Sequence, residues 1–246
     1  MAETRRERAR AEVTAAILEA ARRQLAEVGA QQLSLRGVAR DVGLVSSAVY
    51  RYFPSRDDLL TRLIMEAYSG LADRVEEADA RLRRDDLRGR WRAACSAVRD
   101  WARENPHEYA LVYGSPVPGY AAPVATVEPA TRVSVVFLAI VAEASAAGRL
   151  DAPGLSPSGR RGISRELLAQ LKAVSDELAP GIPPDVLGRV LMAWTQLFGM
   201  VSFELFGHLV GSVEPAGPFF EFAVEQLADF IGLPPAGRAA RGGRGH

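Results

Sequence analysis

A short run at residues 43–60, GLVSSAVYRYFPSRDDLL, brings aromatic, basic and hydroxyl side chains together near the N-terminus. The guanidinium of Arg51 can pair with a guanine edge or a phosphate, and the hydroxyls of Tyr50 and Tyr52 can donate hydrogen bonds to phosphate. Small side chains at residues 46–48 would let a helix backbone approach base edges closely. The same side chains could instead form a core or a ligand site, so the choice depends on the elements that position them.

Residues 34–53 have the pattern of two short helices joined by a tight turn. Ser34 is suited to cap the first helix, and a proline stops the second because proline disfavours helix in the residue before it. The second helix is predicted over residues 46–52. Val49 lies within this helix and Phe53 directly after it. They are four residues apart, and both are predicted to face the core. This arrangement is a helix-turn-helix, in which the second helix enters the major groove of DNA.

The side chains predicted to contact DNA lie outward on this motif or at the start of a helix. The N-terminus of the first helix, with Arg36, suits a phosphate because its backbone N–H groups are unpaired. Arg56 adds a cation at the start of the following helix. The predicted set is Ser34, Arg36, Ser46, Ser47, Ala48, Tyr50, Arg51, Tyr52 and Arg56.

Basic residues are concentrated at the N-terminal end of a chain that is neutral overall. Residues 1–56 contain ten arginines and six acidic residues, whereas residues 57–237 contain seventeen basic and twenty-four acidic residues. A polyanionic partner is therefore expected to meet the N-terminal part. Four of the ten arginines precede the first predicted core residue; they could reach DNA or form a frayed, solvated terminus, and we favour the frayed terminus. They are Arg5, Arg6, Arg8 and Arg10.

Composition disfavours several kinds of site. The single cysteine, Cys95, precludes an intrachain disulfide, and the three histidines have no metal-ligand spacing. No catalytic constellation is present, so neither a metal nor a cofactor is predicted. The N-terminus lacks the apolar segment of a secretory signal, and the uncharged stretch Val190–Phe203, with fourteen residues, is too short to cross a membrane. We therefore predict a cytoplasmic protein that is not an enzyme and has no membrane partner.

The apolar pattern is helical along most of the chain, and no period-two alternation indicates a strand. The predicted fold is all-α. An N-terminal three-helix domain, residues 1–60, contains the helix-turn-helix, and a C-terminal helical bundle follows it. The low-complexity tail at residues 234–246 is predicted to be disordered.

The segments LSLRGVARDVGL and VSSAVYRYFPSRDDLL closely resemble the DNA-binding domain of tetracycline-repressor-like (TetR-family) regulators, over roughly residues 10–60. The family pattern is matched here at Ser34, Val38, Ala39, Gly43, Val49, Tyr50, Tyr52, Phe53, Ser55 and Leu59. Arg56 replaces a common lysine and keeps its charge. Val45 replaces a common serine cap, which leaves open whether Ser46 caps the recognition helix and moves its reading face by one residue.

The resemblance implies a ligand-responsive regulator, by default a repressor, that binds a palindromic operator in double-stranded DNA as a homodimer. It implies that residues 61–233 form the effector-binding and dimerisation domain, with the dimer formed through Pro184–Leu209 and Pro218–Ile231. The run Trp194–Gly199 is similar to a W-x-x-x-H-G run of one subgroup, with Phe198 at the histidine position. A small apolar or aromatic effector is expected. The residues predicted to line its site are Trp91, Trp101, Tyr109, Tyr113, Phe137, Trp194 and Phe198.

Two alternatives remain at the level of sequence. One is an enzyme whose N-terminal helices only resemble a DNA-binding head, and such an enzyme would need a catalytic constellation. The other is an all-helical ligand-binding or protein-interaction module that does not bind DNA.

Overall fold

The computed structural model describes residues 4–151 and 163–235, and within these ranges every regular element is a helix. This confirms the all-α prediction. The helices are α1 Arg5–Gln32, α2 Leu35–Asp41, α3 Ser46–Val49, α4 Arg56–Ala80, α5 Leu87–Glu104, α6 Pro106–Tyr113, α7 Val127–Ala146, α8 Arg165–Leu178, α9 Pro184–Leu205 and α10 Ala216–Ile231, with a 3₁₀ turn at Val124–Thr126 before α7.

The chain divides into two compact units. The N-terminal unit comprises Met1–Gly70 with Glu104–Ala130, and the C-terminal unit comprises Leu71–Arg103 with Thr131–His246. Helix α6 therefore belongs to the same compact unit as the helix-turn-helix, although it follows it by more than fifty residues in sequence. The functional boundary predicted after residue 60 remains a prediction.

One core holds the N-terminal unit together. Buried side chains of α1, α2, α3 and α4 meet in it, and Leu111 of α6 packs against it. Val49 is fully buried and Phe53 is nearly so, which confirms that these two side chains face inward. Gly29 interrupts the helical conformation of α1 with φ 75° and ψ 168°, a region that favours glycine because a Cβ would clash there.

The N-terminus of α1 is capped. Thr4 accepts a hydrogen bond from the backbone N–H of Glu7 at 3.2 Å, and the Glu7 carboxylate accepts one from the backbone N–H of Thr4 at 2.8 Å. The backbone N–H of Thr4, and its hydroxyl, which donates to the same carboxylate at 2.8 Å, lower the pKa of Glu7. The prediction of a frayed terminus was therefore wrong for residues 5–10, because a capping box closes the first turn of the helix and α1 includes them.

Helix α5 contributes two buried arginines, Arg88 and Arg90, to the C-terminal unit. The Arg90 side chain is fully buried, and its Nε donates to Asp79 of α4 at 2.7 Å while Nη1 donates to Glu143 of α7 at 2.5 Å. Nearby on α5, Arg99 Nε donates to Glu204 of α9 at 2.6 Å. A buried guanidinium needs such partners, since an unpaired one would be strongly destabilising.

The ordered chain continues past α10. Pro234 is buried, and its carbonyl accepts a hydrogen bond from Arg88 Nε at 3.1 Å. The predicted disordered tail therefore does not begin at residue 234, because this arginine holds the backbone there. The rest of that tail, residues 236–246, lies outside the described residues.

Two segments have the length and composition of a membrane span. Val124–Ala146 has 23 residues and a mean hydropathy of 1.7, and Pro184–Leu205 has 22 residues and a mean hydropathy of 1.3. Helix α9 is longer than the fourteen-residue stretch considered from sequence because it includes charged residues at its ends. In each segment about half of the apolar window is buried inside the protein, 44% and 50%, as in many core helices, so these segments are weak indications of a membrane.

Candidate nucleic-acid interface

The turn between α2 and α3 is set by three local features. Ser34 caps α2, with its Oγ accepting a hydrogen bond from the backbone N–H of Gly37 at 3.4 Å. Gly43 has φ 67°, which only glycine adopts readily. Val45 is the N-cap of α3, with extended backbone angles and no side-chain cap bond. Helix α3 therefore begins at Ser46 with the cap position in place, and the reading face is not moved by one residue.

Helix α3 is shorter than predicted. It ends at Val49, and residues 50–52 continue as a turn in which the N–H groups of Tyr52 and Phe53 donate to the Val49 carbonyl at 2.9 and 3.0 Å. These bonds keep the turn compact after the helix ends.

The predicted DNA-contacting residues differ in exposure. Five are exposed, and four are half-buried. The exposed residues are Ser34, Arg36, Ser47, Tyr50 and Arg51, and the half-buried ones are Ser46, Ala48, Tyr52 and Arg56. Within the described part of the chain the side chains of Arg36 and Arg51 make no hydrogen bond or ion pair, so their donors are available to a ligand.

Tyr52 is held between the core and an arginine of α1. Its ring packs against the core of the N-terminal unit, and the guanidinium carbon of Arg10 lies 5.2 Å from the ring centroid. This cation–π contact places a second basic group beside α3. The sequence offered Arg10 as one of the arginines that could reach DNA, but it did not predict the contact with Tyr52, since 42 positions separate the two residues and no local pattern joins them.

Arg56 has an intramolecular role that sequence reasoning did not foresee. Its Nε donates to the carbonyl of Leu33 at 3.1 Å, and Nη2 donates to the carbonyls of Ala30 and Gln31 at 2.8 and 3.2 Å. These carbonyls lie at the end of α1, where helical carbonyls lose their normal partners. Arg56 thus ties the start of α4 to the junction between α1 and α2, and its contact with DNA remains a prediction.

Helix α6 is joined to the other helices of the N-terminal unit by charge and by aromatic packing. Arg22 of α1 donates to Glu108 of α6 at 3.0 Å and to Glu66 of α4 at 2.6 Å. The rings of Tyr68 and Tyr113 meet edge to face, with centroids 6.0 Å apart. Burial raises the pKa of both tyrosines, so their hydroxyls stay protonated at neutral pH. Neither link was visible in local sequence spacing.

An aromatic array lies in the C-terminal unit. Trp91 and Phe137 meet edge to face at 5.2 Å between centroids, Phe137 and Trp194 do so at 5.7 Å, and Trp194 lies 4.5 Å from Phe198. Trp91 Nε1 donates to the Val224 carbonyl at 3.1 Å, and the Trp194 side chain is half-buried. The structure thus brings together four of the seven residues predicted to line the effector site.

The other three predicted lining residues lie in two different parts of the chain. Tyr109 and Tyr113 belong to the N-terminal unit, where their rings lie 5.1 Å apart. Trp101 is a buried residue of α5 in the C-terminal unit.

Metal chemistry has no apparent site in residues 4–151 and 163–235, where no group of three or more histidine, cysteine or acidic side chains is placed to hold an ion. The Cys95 thiol is fully buried, and burial raises its pKa well above the ordinary value. A protonated, inaccessible thiol is neither a nucleophile nor a ligand.

The N-terminal unit has the features of a helix-turn-helix DNA-binding domain, with a short, partly exposed second helix and with Arg36 and Arg51 free to meet a polyanion. Residues 17–63 match the family described as bacterial regulatory proteins, tetR family, and residues 91–227 match the tetracyclin repressor-like C-terminal domain. The chain belongs to the TetR family of helix-turn-helix transcriptional regulators, which are not enzymes. This membership confirms the resemblance and disfavours both alternatives left open by the sequence.

Similar proteins agree with this membership. The HTH-type transcriptional regulator Rv1816 of Mycobacterium tuberculosis is 41% identical over 211 residues, covering 82% of this chain and 85% of that protein. The HTH-type transcriptional regulator Mb1846 of Mycobacterium bovis gives the same values. The crystal structure of a candidate regulatory protein, SCO4313, is 34% identical with a TM-score of 0.72, and the match covers 92% of this chain and 100% of that one.

The intramolecular role of Arg56 predicts a stability difference between two arginines of the motif. Arg56→Gln should lower the free energy of unfolding by about 1–3 kcal/mol, because three carbonyls lose a charged donor. Arg36→Gln should change it by less than about 0.5 kcal/mol, since Arg36 is exposed and makes no such bonds. Urea unfolding followed by far-ultraviolet circular dichroism, at one protein concentration, measures both. Equal effects of the two substitutions would contradict the structural role of Arg56.

Proposed function

We propose that this TetR-family regulator is a ligand-responsive repressor that acts in the bacterial cytoplasm. A homodimer binds a palindromic operator with one recognition helix in each of two successive major grooves, and a small effector releases it. The observation that carries the DNA-binding part is the surface of α3 and its following turn, where Ser47, Tyr50 and Arg51 are all exposed.

Each side chain of this surface has a distinct task at DNA. Arg51 is exposed and has two parallel donors, so it suits the O6 and N7 acceptors of guanine. Ser47 and Ala48 are small and allow the helix to approach base edges. Tyr50 and Arg36 flank this centre and suit phosphates, which fix the position of the protein but carry no sequence information.

The assignment of Arg51 predicts how its removal affects binding. Arg51→Ala should weaken binding to the specific operator by about 1–3 kcal/mol per half-site, roughly 5- to 150-fold for each, because each protomer loses its bidentate contact with a base. Binding to a random duplex of the same length should change little. Fluorescence anisotropy at one fixed salt concentration measures both, using duplexes from the DNA upstream of the gene for this protein.

A matched control is Arg23→Ala, since Arg23 is an exposed arginine of α1 that lies 3.8 Å from the carboxylate of Glu19 on the same helix. It should leave specific binding unchanged within about twofold. An equal loss on specific and random duplexes in Arg51→Ala would make Arg51 a phosphate contact. Absence of a specific complex on every upstream duplex would contradict the operator proposal itself.

A second copy of the chain is the proposed partner of the outer face of α9 and α10. Met192 and Phe203 of α9 and Phe222 of α10 are each more than half exposed. Met192, Gly199 and Phe203 follow a spacing of seven and four residues, which places them on one side of the helix. A Cβ added at Gly199 would meet nothing within 4 Å, so another helix can approach closely there.

This interface lies within the predicted segments Pro184–Leu209 and Pro218–Ile231. Helices α9 and α10 pack on each other within one chain, and the two pairs of a dimer would form a four-helix arrangement. An exposed apolar face of this kind is costly in a lone protomer and is a usual mark of an interaction surface.

The dimer proposal predicts that a charge on this face separates the protomers. Met192→Glu should weaken dimerisation by roughly 3–5 kcal/mol, because an unpaired carboxylate would be buried between the copies. Val28→Glu, an exposed apolar position on α1, should leave the mass unchanged. Size-exclusion chromatography with light scattering measures the mass of each. A wild-type chain that is monomeric at micromolar concentration would contradict the proposal.

The aromatic array of the C-terminal unit is the proposed centre of effector recognition. Trp91 and Phe137 are buried, whereas Trp194 is half-buried and can present part of its indole to a ligand. Edge-to-face packing leaves ring faces and edges that suit a planar apolar molecule. Release of DNA requires that the effector bind the released state more tightly, and a coupling of about 1–3 kcal/mol, or 5- to 150-fold, is typical.

Trp194 is the position at which this proposal is most directly tested. A series of aromatic acids and phenols is added to the protein–operator complex, and release is followed by anisotropy. Trp194→Leu should raise the concentration needed for release roughly tenfold, since an aromatic contact is lost, while Trp194→Phe should retain most of the response. Both variants should bind the operator as the wild type does. Unchanged release in Trp194→Leu by every active compound would contradict the assignment.

A further inference from the structure

We propose that Val45 is a specificity-determining residue of the DNA interface, and that its side chain contacts the C5-methyl group of a thymine in each half-site. This inference rests on the proposed operator binding and adds one base preference to it. Apart from the half-buried Ala48, the rest of the interface offers arginine, serine and tyrosine groups, which act through hydrogen bonds.

The first observation is the exposure of Val45. Among residues 34–56, all of which are described, two large apolar side chains are exposed, Val45 at 72% and Tyr50 at 44%. Val49, the valine within α3, is fully buried. Val45 thus presents nearly its whole side chain to solvent, at the end of the recognition helix that approaches base edges.

The second observation is the missing cap. In the same unit α1 is capped by Thr4 and α2 by Ser34, each through a side-chain hydrogen bond. Val45 holds the same position at α3 and makes no such bond. Valine is among the poorest N-cap residues, so this position forgoes stability that serine or threonine would supply. Val45 is also not part of the core. We therefore assign its role to an outward contact.

The chemistry of the major groove identifies the contact. Thymine is the base that presents a methyl group there, next to its O4 acceptor, and apolar side chains recognise that methyl. A valine side chain cannot donate to a purine or accept from a cytosine amino group. An exposed valine beside the exposed Ser47 therefore favours a thymine within the stretch that α3 reads.

The test removes the thymine methyl group from the DNA and the Val45 side chain from the protein, separately and together. Full-length protein is first used to select a specific duplex from random sequences. Each thymine of a half-site is then replaced, one at a time and symmetrically, by deoxyuridine, which lacks only the methyl group. Affinities of wild type and of Val45→Ala are measured by anisotropy for every duplex.

At one thymine position, replacement by deoxyuridine should lower the affinity of the wild type about fourfold per half-site. This is equivalent to about 0.8 kcal/mol, the value for burial of one methyl-sized group. The same replacement should have no effect above twofold in Val45→Ala. Val45→Ser should be at least as stable to heat as the wild type, because serine can cap α3, and should also lose the thymine preference. This variant separates a reading role from a folding defect.

The outcomes distinguish this inference from the proposed function. If no specific duplex is selected, operator binding itself fails. If specific binding is found but no thymine methyl matters, or if the methyl penalty persists in Val45→Ala and Val45→Ser, the assignment to Val45 is overturned while the regulator stands. Coupling between one thymine methyl and Val45 supports it.

Discussion

The burial of Val49 and Phe53 is the contact on which the DNA-binding surface depends. Helix α3 has four residues and no side-chain cap, so it would not persist as an isolated helix, whose nucleation is unfavourable. Its conformation is held by these two side chains in the core shared with α1, α2 and α4. Because they point inward, Ser47 and Arg51 must point outward, and the core thereby decides which groups DNA can meet.

The arginines of the N-terminal unit illustrate how such a surface is selected. Arg22 is engaged by carboxylates, Arg56 by backbone carbonyls and Arg10 by the ring of Tyr52. Arg36 and Arg51 have no partner in the described part of the chain. Guanidinium groups with satisfied donors stabilise the fold, whereas those without partners are ready for an external anion. Counting basic residues therefore overestimates the interface, and their partners indicate which ones form it.

The two sides of helix α9 differ in burial. Leu197 and Val201 are buried and Trp194 reaches the aromatic array, while Met192 and Phe203 stay exposed. Residues 192 and 194 are two positions apart, about 200° around a helix, so one helix can meet a ligand on one side and a second copy on the other. A change in packing on the inner side can then alter the outer one, and this is how the proposed effector site would be linked to the proposed dimer.

The sequence by itself determined the helices, the cap at Ser34, the turn at Gly43 and the inward pair Val49 and Phe53, because these depend on periodicity and on the conformational limits of single residues. Contacts between distant positions were decided only by the tertiary structure. The bonds from Arg56 to the end of α1, the ring of Tyr52 beneath Arg10 and the association of α6 with the DNA-binding helices are of this kind. Local spacing does not indicate which distant residues the folded core brings together. The sequence therefore shows that each arginine is present, but only the fold shows which groups it contacts.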